Sequence, residues 1–382
     1  MALTPVELGR EIVNRCRSMG FAAAGIARAE PSRWARELTD WLEAGRHGTM
    51  AYLERDLELR LNPARVLEGA RSFIMVADQY AERGDVPPAT PGAPPSGRIA
   101  RYAQGRNYHW VIKNRLHALS DALRIEHPGA EFRTFVDTVP VLERELALAA
   151  GLGWQAKSTM VIHPTLGSYL LLGGVATTLD LAQPDEQRIV ADHCGTCTRC
   201  IDACPTGAIT PYSVDATRCI SYLTIERRDA VPDVFHAAVG EWLYGCDVCQ
   251  DVCPHNSPRA PGVDVGRRHE AYEPRTPSLD LLGVLGWDDA GRREAFRSSP
   301  MKRASLAMMK RNALIVAGNA LAAADDPALL ARVLALASDE SESPMVRTTA
   351  AQVLARLSAK ESPSGRAGPP PGPAAATTSD AR

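Results

Sequence analysis

The sequence predicts an α+β protein made of three consecutive parts. Strand-like and helix-like apolar patterns alternate over residues 1–180, which predicts a mixed α/β part. Eight of the nine cysteines then fall between Cys194 and Cys253, and only helical periodicity follows them. At 382 residues, the chain is long enough for two or three compact units.

The first part alternates helices and strands, each predicted from its apolar spacing. A helix buried on one face is predicted over residues 4–19, because apolar residues recur there at helical intervals. The elements predicted after it are strands at 21–27, 72–77, 132–136, 160–163 and 169–177 and helices at 31–44, 109–125 and 140–150. Residues 84–97 are rich in proline and glycine, which predicts an exposed loop. The order of the strands in the sheet does not follow from these patterns.

The last part is predicted to be helical throughout. Short apolar stripes run to Leu357, and Pro327 and Pro344 are predicted to lie in the first turns of two helices. Such short antiparallel helices are typical of a HEAT-like region, here over residues 261–360. Residues 361–382 have little to bury, and we expect them to be disordered.

Composition and charge limit the classes of partner. Lys and Arg total 43 against 45 acidic residues, so a nucleic-acid partner would need a local basic patch. No run of 18 apolar residues occurs, and Glu7 and Glu11 interrupt the N-terminus where a signal peptide would be apolar. We therefore expect a cytoplasmic, monomeric protein that does not enter a membrane.

The cysteine spacing indicates iron–sulfur clusters. The first four cysteines follow the ferredoxin pattern C-x2-C-x2-C-x3-C-P, in which three thiolates bind one [4Fe–4S] cluster and the fourth binds another. A second half follows, with its first cysteine displaced upstream. The predicted ligands are Cys194, Cys197, Cys200 and Cys253 for one cluster and Cys204, Cys219, Cys246 and Cys249 for the other.

Other uses of these cysteines fit less well. Disulfide frameworks belong to short secreted chains, and paired C-x2-C motifs also bind zinc, but neither requires the full ferredoxin spacing twice. A radical-SAM site requires C-x3-C-x2-C, which is absent from the sequence. A plain electron carrier with two clusters needs only about 60 residues. That alternative leaves residues 1–190 without a role.

Five further segments resemble the epoxyqueuosine reductase family. They are residues 98–109 (RIARYAQGRNYH), 134–144 (TFVDTVPVLER), 151–159 (GLGWQAKST), 218–226 (RCISYLTIE) and 244–254 (YGCDVCQDVCP). The resemblance runs from about residue 5 to residue 357. It implies a cobalamin-binding α/β domain over 1–180, a ferredoxin-like domain with two clusters over 181–260, and a helical region after it. It also implies reduction of epoxyqueuosine to queuosine in tRNA, with electrons from an external donor.

By this resemblance, Asp137 is the proton donor to the epoxide oxygen. A C–O bond breaks more easily when the departing alkoxide is protonated. A carboxyl group at a strand end and facing an apolar corrin is expected to have a raised pKa, which keeps it protonated. The alternative is an N-cap, since Asp137 precedes the helix predicted from Pro140.

The resemblance also implies cofactor contacts at Arg60, Asp137, Lys157, Ser168, Ser221 and Asp247. Each has an ordinary structural alternative, such as a surface arginine or a helix cap. Lys157 does not belong to a phosphate loop, because Ala156 occupies the position before it that such a loop reserves for glycine. The family has glycine there, and it has Asp where this chain has Asn107.

Two basic pairs are the predicted tRNA contacts. Lys302 and Arg303 precede Lys310 and Arg311 by eight residues, which would bring both pairs near one helix face. The alternative is a solvated helix surface. Two other functions remain open at this point: a corrinoid iron–sulfur reductase acting on a small molecule, and an electron-transfer module.

Overall fold

The structure is a computed structural model that describes residues 3–85, 95–260 and 262–361. Its helices are α1 (Pro5–Ser18), α2 (Ala35–Glu43), α3 (Tyr52–Arg55), α4 (Leu57–Leu61), α5 (Tyr108–Glu126), α6 (Glu143–Ala149), α7 (Arg199–Asp202), α8 (Ile220–Ile225), α9 (His236–Val239), α10 (Val248–Asp251), α11 (Leu281–Gly286), α12 (Asp289–Ala295), α13 (Leu306–Leu321), α14 (Pro327–Ser338) and α15 (Pro344–Glu361). Its strands are β1 (Ala23–Arg28), β2 (Ser72–Gln79), β3 (Ser96–Ile99), β4 (Phe132–Phe135), β5 (Trp154–Gln155), β6 (Val161–Ile162), β7 (Leu170–Thr177), β8 (Ile209–Thr210), β9 (Ser213–Val214), β10 (Trp242–Tyr244) and β11 (Ser278–Asp280). Glu361, the first residue of the predicted tail, ends α15, whereas residues 362–382 and residues 86–94 of the predicted loop lie outside the described residues.

A four-stranded antiparallel sheet forms the first part, in the order β1-β2-β7-β4. Strand β2 is buried along its whole length, as expected for a central strand covered on both faces. Helices α1 and α5 pack on one face through residues such as Ile12 and Leu116, and α6 packs on the other through Leu146. The α+β class predicted from the alternating patterns is confirmed.

A three-stranded sheet joins distant segments of the chain, in the order β10-β3-β11. Strand β10 comes from the cysteine-rich segment and runs parallel to β3, whereas β11 runs antiparallel to it. The loop prediction was wrong at its end, because Ser96 and Gly97 belong to β3. Gly97 is required there, since a Cβ atom on it would lie 2.5 Å from Cβ of Leu243.

The C-terminal helices pack around α13, most of whose residues are buried. Pro327 and Pro344 occupy the first positions of α14 and α15, as predicted. Among the described residues, no helix combines the length and apolarity that crossing a membrane requires.

The second basic pair does not reach the surface. Arg311 is fully buried, and its guanidinium donates hydrogen bonds of 2.7 Å to the backbone carbonyls of Leu223, Arg227 and Asp229. Lys310 is also buried and pairs with Glu342. The expectation that both basic pairs share one exposed face is therefore wrong, because α13 is enclosed by its neighbours.

Candidate active site

The structure brings together the two predicted sets of cysteines. Burial raises the pKa of Cys253, and the neighbouring charges that raise it further are those of Cys194, Cys200 and Cys197. None of these thiols forms a disulfide. Four neighbouring thiols are the donor set that a [4Fe–4S] cubane requires.

The second set shows the same arrangement. Burial raises the pKa of Cys246 to about 12, with further contributions from Cys219 and Cys204. Burial also raises the pKa of Cys249, and Cys200 of the first set is among the charges acting on it. The two sets are therefore neighbours, which suits transfer of electrons between two clusters.

The two sets differ in their surroundings. The loop that carries the first set is open to solvent, with Gly195, Thr196 and Arg199 exposed. The residues that flank Cys246 on its N-terminal side, Tyr244 and Gly245, are buried. We therefore distinguish an outer set, which contains Cys194, Cys197, Cys200 and Cys253, from an inner set, which contains the other four cysteines.

Three of the residues predicted to contact the cofactor form hydrogen bonds with other protein groups. Nζ of Lys157 donates to the backbone carbonyls of Gly195, at 2.6 Å, and Cys197, at 3.1 Å, so it secures the loop of the outer set. The Ser168 hydroxyl accepts a hydrogen bond of 2.8 Å from the side chain of Asn256. Asp247 is buried, and it accepts hydrogen bonds from the backbone and the guanidinium of Arg101.

Asp137 lies between β4 and α6 in a left-handed backbone conformation, with φ +59°. It does not cap α6, since that helix begins at Glu143 and its N-cap residue is Leu142. Tyr108 donates a hydrogen bond to Oδ2 of Asp137, and Nε2 of His109 lies 3.2 Å from the same oxygen. The geometry therefore excludes the capping alternative.

The Asp137 carboxyl has a close acidic neighbour. The backbone N–H of Asp137 donates to Oε1 of Glu143 at 2.7 Å. Burial and the charge of Asp137 raise the pKa of Glu143 to about 8. Burial pushes the pKa of Asp137 upward as well, but hydrogen bonds from His109 and Tyr108 outweigh burial and hold it below its ordinary value. The sequence-based expectation of a raised pKa concerns an Asp137 that faces a corrin, and it stays a prediction.

Asn107 orients the histidine. Its Oδ1 accepts a hydrogen bond from the backbone N–H of His109 and lies 2.8 Å from Nδ1 of the ring. Because a carbonyl oxygen can only accept, a hydrogen bond here requires the tautomer in which Nδ1 carries a proton. The nitrogen facing Asp137 then accepts from a protonated carboxyl group or, if the ring is charged, donates to a carboxylate. The contact between His109 and Asp137 thus contains one exchangeable proton.

The Asp137 carboxyl group is surrounded by protein groups but is open to solvent on one side. Burial is the largest influence on the pKa of Asp137, Glu143 and Arg144, yet 49% of the Asp137 side chain is exposed. The charges of Arg60 and Asp137 both act on Tyr52, so all three face the same space. Nε of Arg60 is buried and has no hydrogen-bond partner in the described part of the chain.

Sequence reasoning singled out Asp137 and Arg60 but missed Tyr108, His109 and Glu143. All three lie within the resembling segments 98–109 and 134–144, so a signal was present. Their roles depend on where α5 crosses the end of β4, which the periodicity of the sequence does not specify. Ser221 lies on α8, two residues after Cys219, and its side chain is half-buried.

Comparisons with known proteins agree with this site. Residues 193–256 match the family model "4Fe-4S double cluster binding domain", and residues 60–138 match "Epoxyqueuosine reductase QueG, DUF1730". The chain is 37% identical over 314 residues to the epoxyqueuosine reductase of Leadbetterella byssophila, covering 81% of this chain and 98% of that protein. It is 35% identical to the Escherichia coli enzyme, covering 82% of each chain.

Solved structures show the same relationship. A structure of epoxyqueuosine reductase with an epoxyqueuosine-modified tRNA-Tyr stem loop superimposes with a TM-score of 0.80 and 30% identity, covering 93% of this chain and 91% of that one. A structure of the Bacillus subtilis enzyme, in which the catalytic aspartate loop has swung out of the active site, gives a TM-score of 0.81 and 29% identity, with the same coverage of both chains. Together with the cysteine sets and the Asp137 site, these similarities show that the chain is an oxidoreductase of the epoxyqueuosine reductase family.

Proposed function

We propose that this protein reduces epoxyqueuosine to queuosine at the wobble position of tRNA, using cobalamin reduced through two [4Fe–4S] clusters, with Asp137 as proton donor. The observation that carries the proposal is the continuity between the inner set and Asp137. Tyr244, two residues before Cys246, lies with its ring 6.4 Å from that of Tyr102. The Tyr102 ring lies 6.2 Å from that of Tyr108, which bonds to Asp137. The electron source and the proton source therefore border one site.

The side chains around Asp137 suit cobalamin. Aromatic walls suit the apolar faces of a corrin, and a buried guanidinium nitrogen without a partner suits its amide or phosphate oxygens. Arg60 and Ser221 are the proposed contacts, whereas Lys157, Ser168 and Asp247 would act through the protein groups they bond to. Bound there, cobalamin supplies the strongly reducing electrons that open the epoxide.

The protein residues supply protons and a route for electrons. Reduction of the epoxide to the alkene takes up two electrons and two protons and releases water. Asp137 delivers a proton to the epoxide oxygen, so that the departing group leaves as a hydroxyl rather than an alkoxide. The exposed loop of the outer set makes that cluster the entry point for an external donor, and the inner cluster passes the electrons onward.

Lys302 and Arg303, the predicted tRNA contacts that are exposed, lie next to the Asp137 site. Lys302 lies with Nζ 5.3 Å from the centre of the Trp110 ring, and Trp110 is 54% exposed one residue after His109. Arg303 pairs with Glu226, and its guanidinium lies 5.7 Å from the ring of Tyr52. An exposed aromatic ring beside cations is a typical platform for an unpaired nucleotide, because bases stack on the ring while the cations attract phosphates.

We expect Trp110→Ala to weaken binding of an anticodon stem-loop RNA by about tenfold or more, since stacking of one base contributes about 1–3 kcal/mol. Fluorescence anisotropy at fixed ionic strength measures the Kd. The matched control is Ile125→Ala, which removes an 82% exposed apolar side chain from the same helix. Equal Kd values for the two variants would contradict RNA stacking on Trp110.

The proposed function is tested with anaerobically reconstituted protein to which cobalamin is added. We expect about eight irons and one cobalt per chain, and conversion of epoxyqueuosine to queuosine in tRNA when a low-potential reductant is supplied. Mass spectrometry of nucleosides from the digested tRNA detects the loss of one oxygen. Eight irons with no bound corrin and no conversion would leave an electron carrier as the better account.

A further inference from the structure

Glu143 contacts the Asp137 loop at its most constrained residue. Asp137 is one of three non-glycine residues with positive φ in the described chain, and this conformation disfavours any residue that bears a Cβ atom. The Glu143 carboxylate accepts the backbone N–H of Asp137 at 2.7 Å. Glu143 is itself the first residue of α6, so the loop is tied to a helix packed on the central sheet.

The two carboxyl groups also interact with each other. Burial and the charge of Asp137 raise the pKa of Glu143, whose Oε1 lies 2.7 Å from the Asp137 backbone nitrogen. Two carboxyl groups this close hold one proton between them near neutral pH, because both cannot ionise at low cost. The other charged and titratable groups that act on this pair are Arg60, Arg144, Tyr52, Tyr102, Tyr108 and His109.

The overall reduction takes up more protons than Asp137 alone can carry. One carboxyl group carries one proton, whereas conversion of the epoxide oxygen to water takes up two. The Asp137 side chain is 49% exposed, so a substrate bound against it would cover its open side and restrict access of water. A second acid in contact with Asp137 can supply the second proton without opening the site.

We propose that Glu143 is a positioning residue that holds Asp137 in the active conformation and stores the second proton of the reaction. This inference rests on the proposed function. The first proton is the exchangeable one in the contact between His109 and Asp137, and it reaches the epoxide oxygen through Asp137. The O–H bond of Glu143 then breaks, and its proton moves to the Asp137 carboxylate. The re-protonated Asp137 then protonates the departing hydroxyl group, and water leaves. Glu143 remains as a carboxylate until solvent protonates it, and no electrons pass through the pair.

Glu143→Gln separates the two roles. Glutamine keeps an oxygen that can accept the Asp137 N–H but has no acidic proton to give. We expect kcat to fall about 10–100-fold with KM for tRNA unchanged. In the unmodified protein, kcat should decrease as pH rises through about 8, where Glu143 loses its proton, and this decrease should disappear in the variant. The matched control is Glu145→Gln, which changes a carboxyl group on the same helix that bonds to Ser32 instead.

A second measurement does not depend on turnover. Infrared difference spectroscopy of the full chain without cobalamin should show a protonated carboxyl band that titrates near pH 8 and is absent from Glu143→Gln. A variant with unchanged kcat and pH profile would overturn the proton-storage role, and so would an unchanged infrared band. Failure of the unmodified protein to convert tRNA while the band is present would count against the proposed function instead.

Discussion

Replacing Asp137 with asparagine should slow epoxide reduction by about 10²–10⁴-fold, the usual contribution of a general acid. Asparagine has nearly the same shape and keeps an oxygen that can accept the hydrogen bond from Tyr108. It lacks only the acidic proton. Single-turnover reduction with pre-reduced protein and a saturating amount of tRNA isolates the chemical step from electron delivery and from substrate binding.

The control for this variant is Asp121→Asn. Asp121 lies on α5, its side chain is 70% exposed, and it forms a surface ion pair with Arg124, which contributes little to stability. We expect both variants to bind the same amounts of iron and cobalamin. A rate for Asp137→Asn within threefold of the control would mean that another group protonates the epoxide, and it would remove the main catalytic assignment.

Replacing Arg311 with methionine should lower the free energy of unfolding by about 3 kcal/mol. The change leaves the buried carbonyl of Leu223 and the partly buried carbonyls of Arg227 and Asp229 without their donor. Each buried acceptor that loses its partner costs about 1–3 kcal/mol, and release of the desolvated guanidinium offsets part of that sum. Burial lowers the pKa of Arg311 to about 9, which shows how strongly the site opposes its charge.

Urea denaturation followed by circular dichroism measures this effect. Arg36→Met is the matched control, because the Arg36 side chain is 89% exposed and forms only an i,i+4 ion pair with Asp40. We expect the control to change the free energy of unfolding by less than about 0.5 kcal/mol. Equal midpoints for the two variants would show that Arg311 does not stabilise the junction between α13 and α8.

The sequence predicted those features of the site that depend on local spacing. The eight cysteines of the two sets follow from their intervals, and the position of Asp137 follows from a strand that ends there. The partners of Asp137 did not follow, because Tyr108 reaches it only where α5 crosses the sheet. The start of α6 was predicted near Pro140 but lies at Glu143, and this shift is what brings the Glu143 carboxylate to the Asp137 backbone.

The errors elsewhere have a physical cause as well. A helical pattern shows which face is apolar, but it does not show that a helix is surrounded. Helix α13 is enclosed, so Lys310 and Arg311 are buried in spite of their charge. Strand β3 contains glycine and follows a proline-rich segment, so its strand propensity is low. It becomes a strand because β10 and β11 supply hydrogen-bonding partners from far along the chain.

That arrangement of β3 between β10 and β11 has a consequence for how the protein is made. When β3 leaves the ribosome, neither β10 nor β11 has been synthesised. At translation rates of about 5–20 residues per second, β11 follows roughly 10 seconds or more later. During this interval the nascent chain presents an unpaired strand edge, which is a site for aggregation. The first part therefore cannot reach its final state before the cysteine-rich segment is complete, and delivery of iron and sulfide to that segment becomes a step in the maturation of the whole enzyme.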